Sequence, residues 1–153
     1  MNRRIIIYLL LSIFVLLGLI SYNYSIAQKN IKDLKQSPLS ISLDSFPAIL
    51  TVGEKGRFTW SVNAAPDLST PLTTIYYGYT STPSALTKGD SPDAVGYPLH
   101  LEDYAHGSFK LPDTFDANLQ LKLPGKIFLR AYAKVGKEHL WTEEKYLEIV
   151  PRK

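Results

Sequence analysis

The chain has 153 residues, with 17 Lys and Arg against 14 Asp and Glu and no cysteine. The lack of cysteine excludes disulfides, thiol nucleophiles, cysteine zinc sites and lipid-modified cysteine. Two of the basic residues, Arg3 and Arg4, precede an apolar run, so the rest of the chain is nearly neutral and carries no electrostatic footprint for nucleic acid.

The first element is an apolar run over residues 5–20 that follows the short basic start. Such a run is helical in hydrocarbon, because every backbone polar group must be paired internally. Residues 5–22 would extend about 27 Å at about 1.5 Å per residue, enough to cross a bilayer core. The preceding positive charges orient the N-terminus to the cytoplasm. The sequence therefore predicts one N-terminal transmembrane helix, a single-pass plasma-membrane location and a domain outside.

A cleaved signal peptide is the alternative for this region. Ser25-Ile26-Ala27 fits a small-x-small cleavage site, and cleavage following Ala27 would secrete the domain. Residues 28–37 are polar and predict a short stalk. The predicted organisation is thus an anchor or signal peptide at 1–27, a stalk at 28–37 and a β-domain at 38–150.

From residue 38 onward the apolar period becomes two, which is typical of half-buried strands. The alternating sets are Leu39/Ile41/Leu43, Phe58/Trp60/Val62, Ile75/Tyr77/Tyr79, Phe115/Ala117/Leu119/Leu121 and Ile127/Leu129/Ala131/Ala133. Seven or eight short strands at spacings of about ten residues predict an all-β sandwich of antiparallel strands. Residues 80–96 interrupt the pattern as a long polar loop, which needs its own packing or a function.

Two segments carry a resemblance to a known fold. Residues 57–62 (RFTWSV) resemble the second strand of a fibronectin type III or related immunoglobulin-like module, in which a tryptophan is the inner anchor. Residues 127–135, followed by Gly136 and a final strand, resemble the sixth and seventh strands of the same module. The resemblance implies an immunoglobulin/fibronectin-III-like sandwich, export, a spacer or binding role and no active site.

The same alignment of strands makes predictions for the core. Trp60 is expected between the two sheets, and its expected neighbours are Ile75, Tyr77, Leu129 and Ala131. Trp141 is in step with Leu147 and Ile149, but two charged residues lie between them on the same face. A β-bulge in the last strand would reconcile that pattern.

An aromatic face is the candidate binding site. If the apolar sets of the third and sixth strands face inward, the residues between them face outward, and these two strands are neighbours in the implied fold. The predicted binding residues are Tyr76, Phe128, Arg130 and Tyr132, with Tyr146 as a further member. Exposed aromatic clusters mark contact surfaces for proteins or sugar rings. The alternatives are ordinary cross-strand pairs, or a face that residues 80–96 cover.

No catalytic or metal-binding pattern stands out. His100, Glu102, Asp103 and His106 do not have the spacing of a recognised metal site, and Asp113 and Asp116 are typical turn residues. The sequence therefore predicts no cofactor, no metal and no enzyme activity. It favours a membrane-anchored interaction or spacer module, with a secreted protein that binds a glycan or other small ligand as the alternative.

Overall fold

The computed structural model describes residues 15–26 and 38–152. The chain divides into two units, Met1–Ser37 and Pro38–Lys153. In the first unit residues 15–26 are helical, and their large apolar side chains are exposed.

The described helix does not support the predicted membrane span. Within the described residues, no helix is both long enough and apolar enough to cross a membrane. Residues 5–14 of the predicted span lie outside the described residues, as do Ala27 at the predicted cleavage point and the predicted stalk at 28–37.

The second unit is built of strands, as predicted. Residues 38–152 form β1 (Ser40–Ser45), β2 (Ile49–Thr51), β3 (Lys55–Asn63), β4 (Ser69–Thr70), β5 (Leu72–Gly78), β6 (Leu99–His100), β7 (Phe109–Lys110), β8 (Asp113–Gln120), β9 (Gly125–Val135), β10 (Glu138–Trp141) and β11 (Lys145–Val150). These strands outnumber the predicted seven or eight, because the first and last predicted strands are each split in two and β4 is an additional two-residue strand.

Two sheets make the sandwich. The first sheet has the order β1-β3-β8, and the second has the order β2-β11-β9-β5-β6, with β10 also paired to β9. β4 and β7 form a separate small pair. In the immunoglobulin-like order strands A, B, E and D share one sheet and strands C, F and G share the other. Here β1, β3 and β8 correspond to A, B and E, and β5, β9 and β11 correspond to C, F and G.

One pairing departs from the predicted antiparallel arrangement. β2 pairs with β11 in parallel, whereas the other pairings within 38–152 are antiparallel. The break at residues 46–48 contains Pro47, which has no backbone N–H to donate to a ladder. The chain therefore leaves the first sheet after β1 and enters the second without reversing its direction.

Trp60 holds the two sheets together, and the predicted core is confirmed. Its side chain is fully buried, and its ring stacks on Phe115 with 5.9 Å between centroids. The indole Nε1 donates a hydrogen bond of 2.8 Å to Thr73 Oγ1 on β5 of the opposite sheet. Ile75, Leu129 and Ala131 are buried in the same cluster, and Tyr77 is partly buried against it.

The irregularity expected after Trp141 is present as a break in the strand. The last strand is broken at residues 142–144, so that Leu140 points into the core and Trp141 lies on the outer face of the second sheet. Thr142 maintains the break: its Oγ1 accepts a hydrogen bond of 2.9 Å from the backbone N–H of Ala131, and its own N–H donates to the Ala131 carbonyl. Trp141 is therefore out of step with Leu147 and Ile149.

Candidate functional site

The structure brings the predicted binding residues onto one face, the outer face of the second sheet. β5 pairs with β9 so that Tyr76 lies opposite Arg130 and Gly78 lies opposite Phe128. The rings of Tyr76 and Tyr132 contact each other edge to face, with 5.4 Å between centroids. The predicted neighbour relation between the two strands is confirmed.

The predicted exposure of this face is wrong for most of its members. Tyr76 is 8% exposed, Arg130 is 3% exposed and Tyr132 is fully buried, while Phe128 remains half-buried. The cause is the long polar loop, which folds over the sheet and covers these side chains. The alternative interpretation, that residues 80–96 cover the aromatic face, is the one that the structure shows.

The covering segment, residues 80–98, is called the strap. It contributes Val95 and Tyr97 to a small apolar cluster with Tyr76 and Tyr132, and Leu86 lies at the edge of that cluster. A second anchor is a hydrogen bond of 2.8 Å from Trp141 Nε1 to the Asp90 carbonyl. The strap therefore has its own packing, which is what a loop of this length requires.

Local sequence shapes the strap for this close approach. The Asp90 carboxylate accepts hydrogen bonds from the N–H and hydroxyl of Thr87, which tightens the first turn. Gly96 has a φ of +78°, a backbone conformation that residues with a Cβ rarely adopt. Gly78 on β5 has no side chain, and a Cβ there would lie 3.0 Å from the Pro98 ring. These glycines allow the end of the strap to descend onto the sheet.

Arg130 is the main polar attachment of the strap. Its Nη2 donates to the carbonyls of Thr82 and Ser84, each at 2.9 Å, and its Nη1 donates to the Thr142 carbonyl at 2.8 Å. Its Nε donates to the Tyr97 hydroxyl at 3.0 Å. Burying a guanidinium costs free energy unless its N–H donors are paired. Here all three nitrogens donate, to strap residues and to Thr142 in the break after β10.

Glu144 is the anionic partner of this network. The carboxylate accepts hydrogen bonds from the Ser81 hydroxyl, the Thr82 backbone N–H and the Tyr97 hydroxyl. Burial alone would raise the pKa of Glu144, but these hydrogen bonds and the nearby Arg130 charge outweigh it and lower the pKa below its ordinary value. The ionised form therefore stabilises the strap.

The lowered pKa predicts a pH dependence of stability. A carboxyl whose folded pKa is depressed contributes stability above its unfolded pKa and loses it as the pH falls through the folded pKa. We expect the melting temperature of the chain to fall on acidification below about pH 4.5, and Glu144→Gln to remove part of that fall. The measurement is thermal unfolding across pH 3–6 with Glu143→Gln as control, because Glu143 is the adjacent, largely exposed carboxylate. Equal pH profiles for the two variants would contradict this role.

Part of the same face stays open beyond the strap. Tyr146 on β11 lies opposite Phe128 on β9 and is 56% exposed, in agreement with its predicted place on this face. Lys126 Nζ lies 3.8 Å from the centroid of the Tyr146 ring and 5.5 Å from that of Phe128. Phe128, Tyr146 and Lys126 form the open patch, which combines two aromatic rings with one cation.

The other polar residues considered in the sequence analysis form ion pairs or lie within strands. In the described part of the chain, no group of three or more His, Cys, Asp or Glu side chains is placed to hold a metal ion. His100 Nε2 lies 3.6 Å from Glu102 Oε1, and Asp116 forms an ion pair of 3.0 Å with Arg57 on β3. Asp113 and Asp116 lie within β8, so their predicted assignment to turns is wrong.

The two residues that pair to hold the strap were missed in the sequence. Tyr97 and Glu144 look like ordinary strand and loop residues, and no spacing rule connects them across 47 positions. A signal was nevertheless present on β9, where Phe128, Arg130 and Tyr132 occupy successive outward positions. A strand with large side chains on both faces is typical of burial on both sides.

Comparisons with known proteins show likeness only at the level of solved structures. No family model matches the chain, and no curated protein matches it. The PKD domain of an M14-like peptidase from a Thermoplasmatales archaeon matches at 15% identity and a TM-score of 0.48, over 77% of this chain and 99% of that one. A superoxide reductase (neelaredoxin) from Ignicoccus hospitalis matches at 15% identity and a TM-score of 0.44, over 75% of this chain and 83% of that one. The CARDB domain of a Pyrococcus furiosus protein matches at 9% identity and a TM-score of 0.41, over 74% of this chain and 89% of that one. Scores this low assign the chain to no family.

Proposed function

We propose that this chain is a non-catalytic interaction or spacer module, related to fibronectin type III modules and held at the outer face of a plasma membrane by its N-terminal segment. The observation that carries the proposal is the use of the charged side chains beneath the strap. Arg130 and Glu144 use their hydrogen bonds to attach the strap to the sheet. In the proposal these two charged side chains therefore hold the strap in place and have no catalytic role.

The open patch supports the interaction part of the proposal. Aromatic side chains are enriched where proteins contact one another. Phe128 and Tyr146 lie side by side with Lys126 above them, and the rigid sheet beneath fixes their positions. Of the predicted binding residues, Phe128 and Tyr146 keep this role in the proposal.

The helical segment at residues 15–26 supports the anchor. Val15, Leu16, Leu17, Leu19 and Ile20 are each 56–62% exposed, so the first half of the described helix presents large apolar side chains. A contiguous group of exposed apolar side chains is stabilised by an apolar environment. The positive charges of Arg3 and Arg4 favour a cytoplasmic N-terminus and an external domain.

Fractionation of cells that express the full chain tests the anchor. We expect the chain to remain with membranes through a high-salt wash, and protease added to intact cells to digest the domain. Replacing Leu17 and Leu19 together by Asp should release the chain, because each charge within a membrane helix costs about 2.5–3.5 kcal/mol. Leu123→Asp is the matched control, since Leu123 is an exposed leucine of the β-domain. A shortened, soluble chain in the medium would favour the secreted alternative with cleavage following Ala27.

A further inference from the structure

A depression lies between the strap and β6, on the side of the covered face away from the open patch. Its volume is about 500 Å³. The residues that line it and matter here are Tyr76, Pro92, Asp93, Tyr97, Pro98 and His100. The strap creates this depression, because its 3-10 turn at Pro92–Ala94 carries Asp93 above the sheet next to Tyr76.

The charge of the depression is negative. Asp93 is exposed, and no lysine or arginine is among the described residues that line the space. None of the ion pairs among the described residues involves Asp93. Glu102 adds a second carboxylate next to His100. An anionic ligand would meet only repulsion from these carboxylates.

The walls of the depression are aromatic. The rings of Tyr76 and His100 lie 5.2 Å apart and are tilted by 34° to each other, and Tyr97 lines the space beside them. Burial and the negative charge of Asp93 together raise the pKa of Tyr76, which indicates that the field of the carboxylate reaches the floor of the depression. Aromatic faces attract cations, alkylated ammonium groups among them.

We propose that this depression binds an organic ammonium group, with Asp93 supplying the opposite charge and the exposed ring of His100, packed on the nearly buried Tyr76 and Tyr97, supplying the contact surface. The ammonium group can belong to a free small molecule or to a lysine side chain of a partner protein. The two sources share this chemistry. The inference is independent of the membrane anchor and of the open patch.

Titration of the full chain with choline, followed by saturation-transfer NMR and calorimetry, tests the proposal. The neutral isostere 3,3-dimethylbutan-1-ol has the same shape without the charge, and we expect it to bind at least about tenfold more weakly. A short peptide with a single lysine, in plain and trimethylated forms, distinguishes the sources. Tighter binding of choline identifies a small molecule, and tighter binding of a peptide identifies a protein partner.

Two substitutions locate the site. Asp93→Asn should weaken binding of the ammonium probe by about tenfold or more, and His100→Lys should abolish it by placing a cation in the depression. Asp67→Asn changes the net charge equally at an exposed loop and should leave binding unchanged. Asp93 and His100 are exposed, so the melting temperatures of all three variants should stay close to that of the parent chain. Equal binding of the neutral isostere, tighter binding of acetate or a methyl glucoside, or unchanged binding in Asp93→Asn would each overturn the proposal.

Discussion

Replacing Trp60 by alanine is expected to lower the free energy of unfolding by about 3–5 kcal/mol, the usual cost of removing a large buried aromatic side chain. The side chain is fully buried between the sheets, stacks on Phe115 and contacts Tyr104 edge to face. Its removal also breaks the hydrogen bond to Thr73 that links β3 to the opposite sheet. In a domain without disulfides, a loss of this size is a large share of a typical total of about 5–15 kcal/mol.

Denaturant unfolding of the full chain, followed by circular dichroism, measures this loss. Tyr146→Ala is the matched control, because it also truncates an aromatic residue, at a position that is 56% exposed. We expect that control to change the free energy of unfolding by no more than about 0.5 kcal/mol. A midpoint for Trp60→Ala equal to that of the control would contradict the placement of Trp60 in the core.

Replacing Arg130 by methionine is expected to lower the free energy of unfolding by about 3 kcal/mol and to release the strap. Methionine keeps the apolar stem but leaves the carbonyls of Thr82, Ser84 and Thr142 without their donor. The stability of Arg130→Lys should lie between that of the parent chain and that of Arg130→Met. A single amine cannot reproduce the planar guanidinium that bonds both to the strap and to the Thr142 carbonyl.

Unfolding by denaturant measures the loss of stability in Arg130→Met, and limited proteolysis measures the release of the strap. Cleavage within residues 80–98 should appear in Arg130→Met under conditions in which the parent chain resists. Arg57→Met is the control, because Arg57 is an exposed arginine whose ion pair with Asp116 lies on the first sheet. Exposed pairs contribute about 0–1 kcal/mol, so the control should stay close to the parent. A protected strap in Arg130→Met would show that apolar contacts alone hold it.

The fold was largely predictable from alternation. β3 and β8 bury one face and expose the other, so Phe58, Trp60 and Phe115 mark the core without ambiguity. The pairing of β9 with β5 was implied by the resemblance to the immunoglobulin-like fold. It could not predict what lies over the outer face of that strand, because an outward residue follows the same pattern whether solvent or a loop covers it.

The covering of the aromatic face depends on contacts that are distant in sequence. Arg130 reaches Ser84 across 46 positions, and Trp141 reaches Asp90 across 51. The break that turns Trp141 outward depends on the hydroxyl of Thr142 bonding to β9, which no local propensity encodes. The predicted site was an open aromatic face. In the structure the strap covers that face, and the open patch lies on one side of it and the depression on the other.

Hydroxyl-radical footprinting of the tyrosines in the full chain tests the covered face most directly. Tyr79 and Tyr146 are 47% and 56% exposed and should be oxidised readily, while Tyr76 and Tyr132 should be protected. In Arg130→Met, oxidation of Tyr76 and Tyr132 should rise as the strap opens, while that of Tyr146 stays constant. Oxidation of Tyr76 and Tyr132 in the parent chain at the rate of Tyr146 would contradict the covered face.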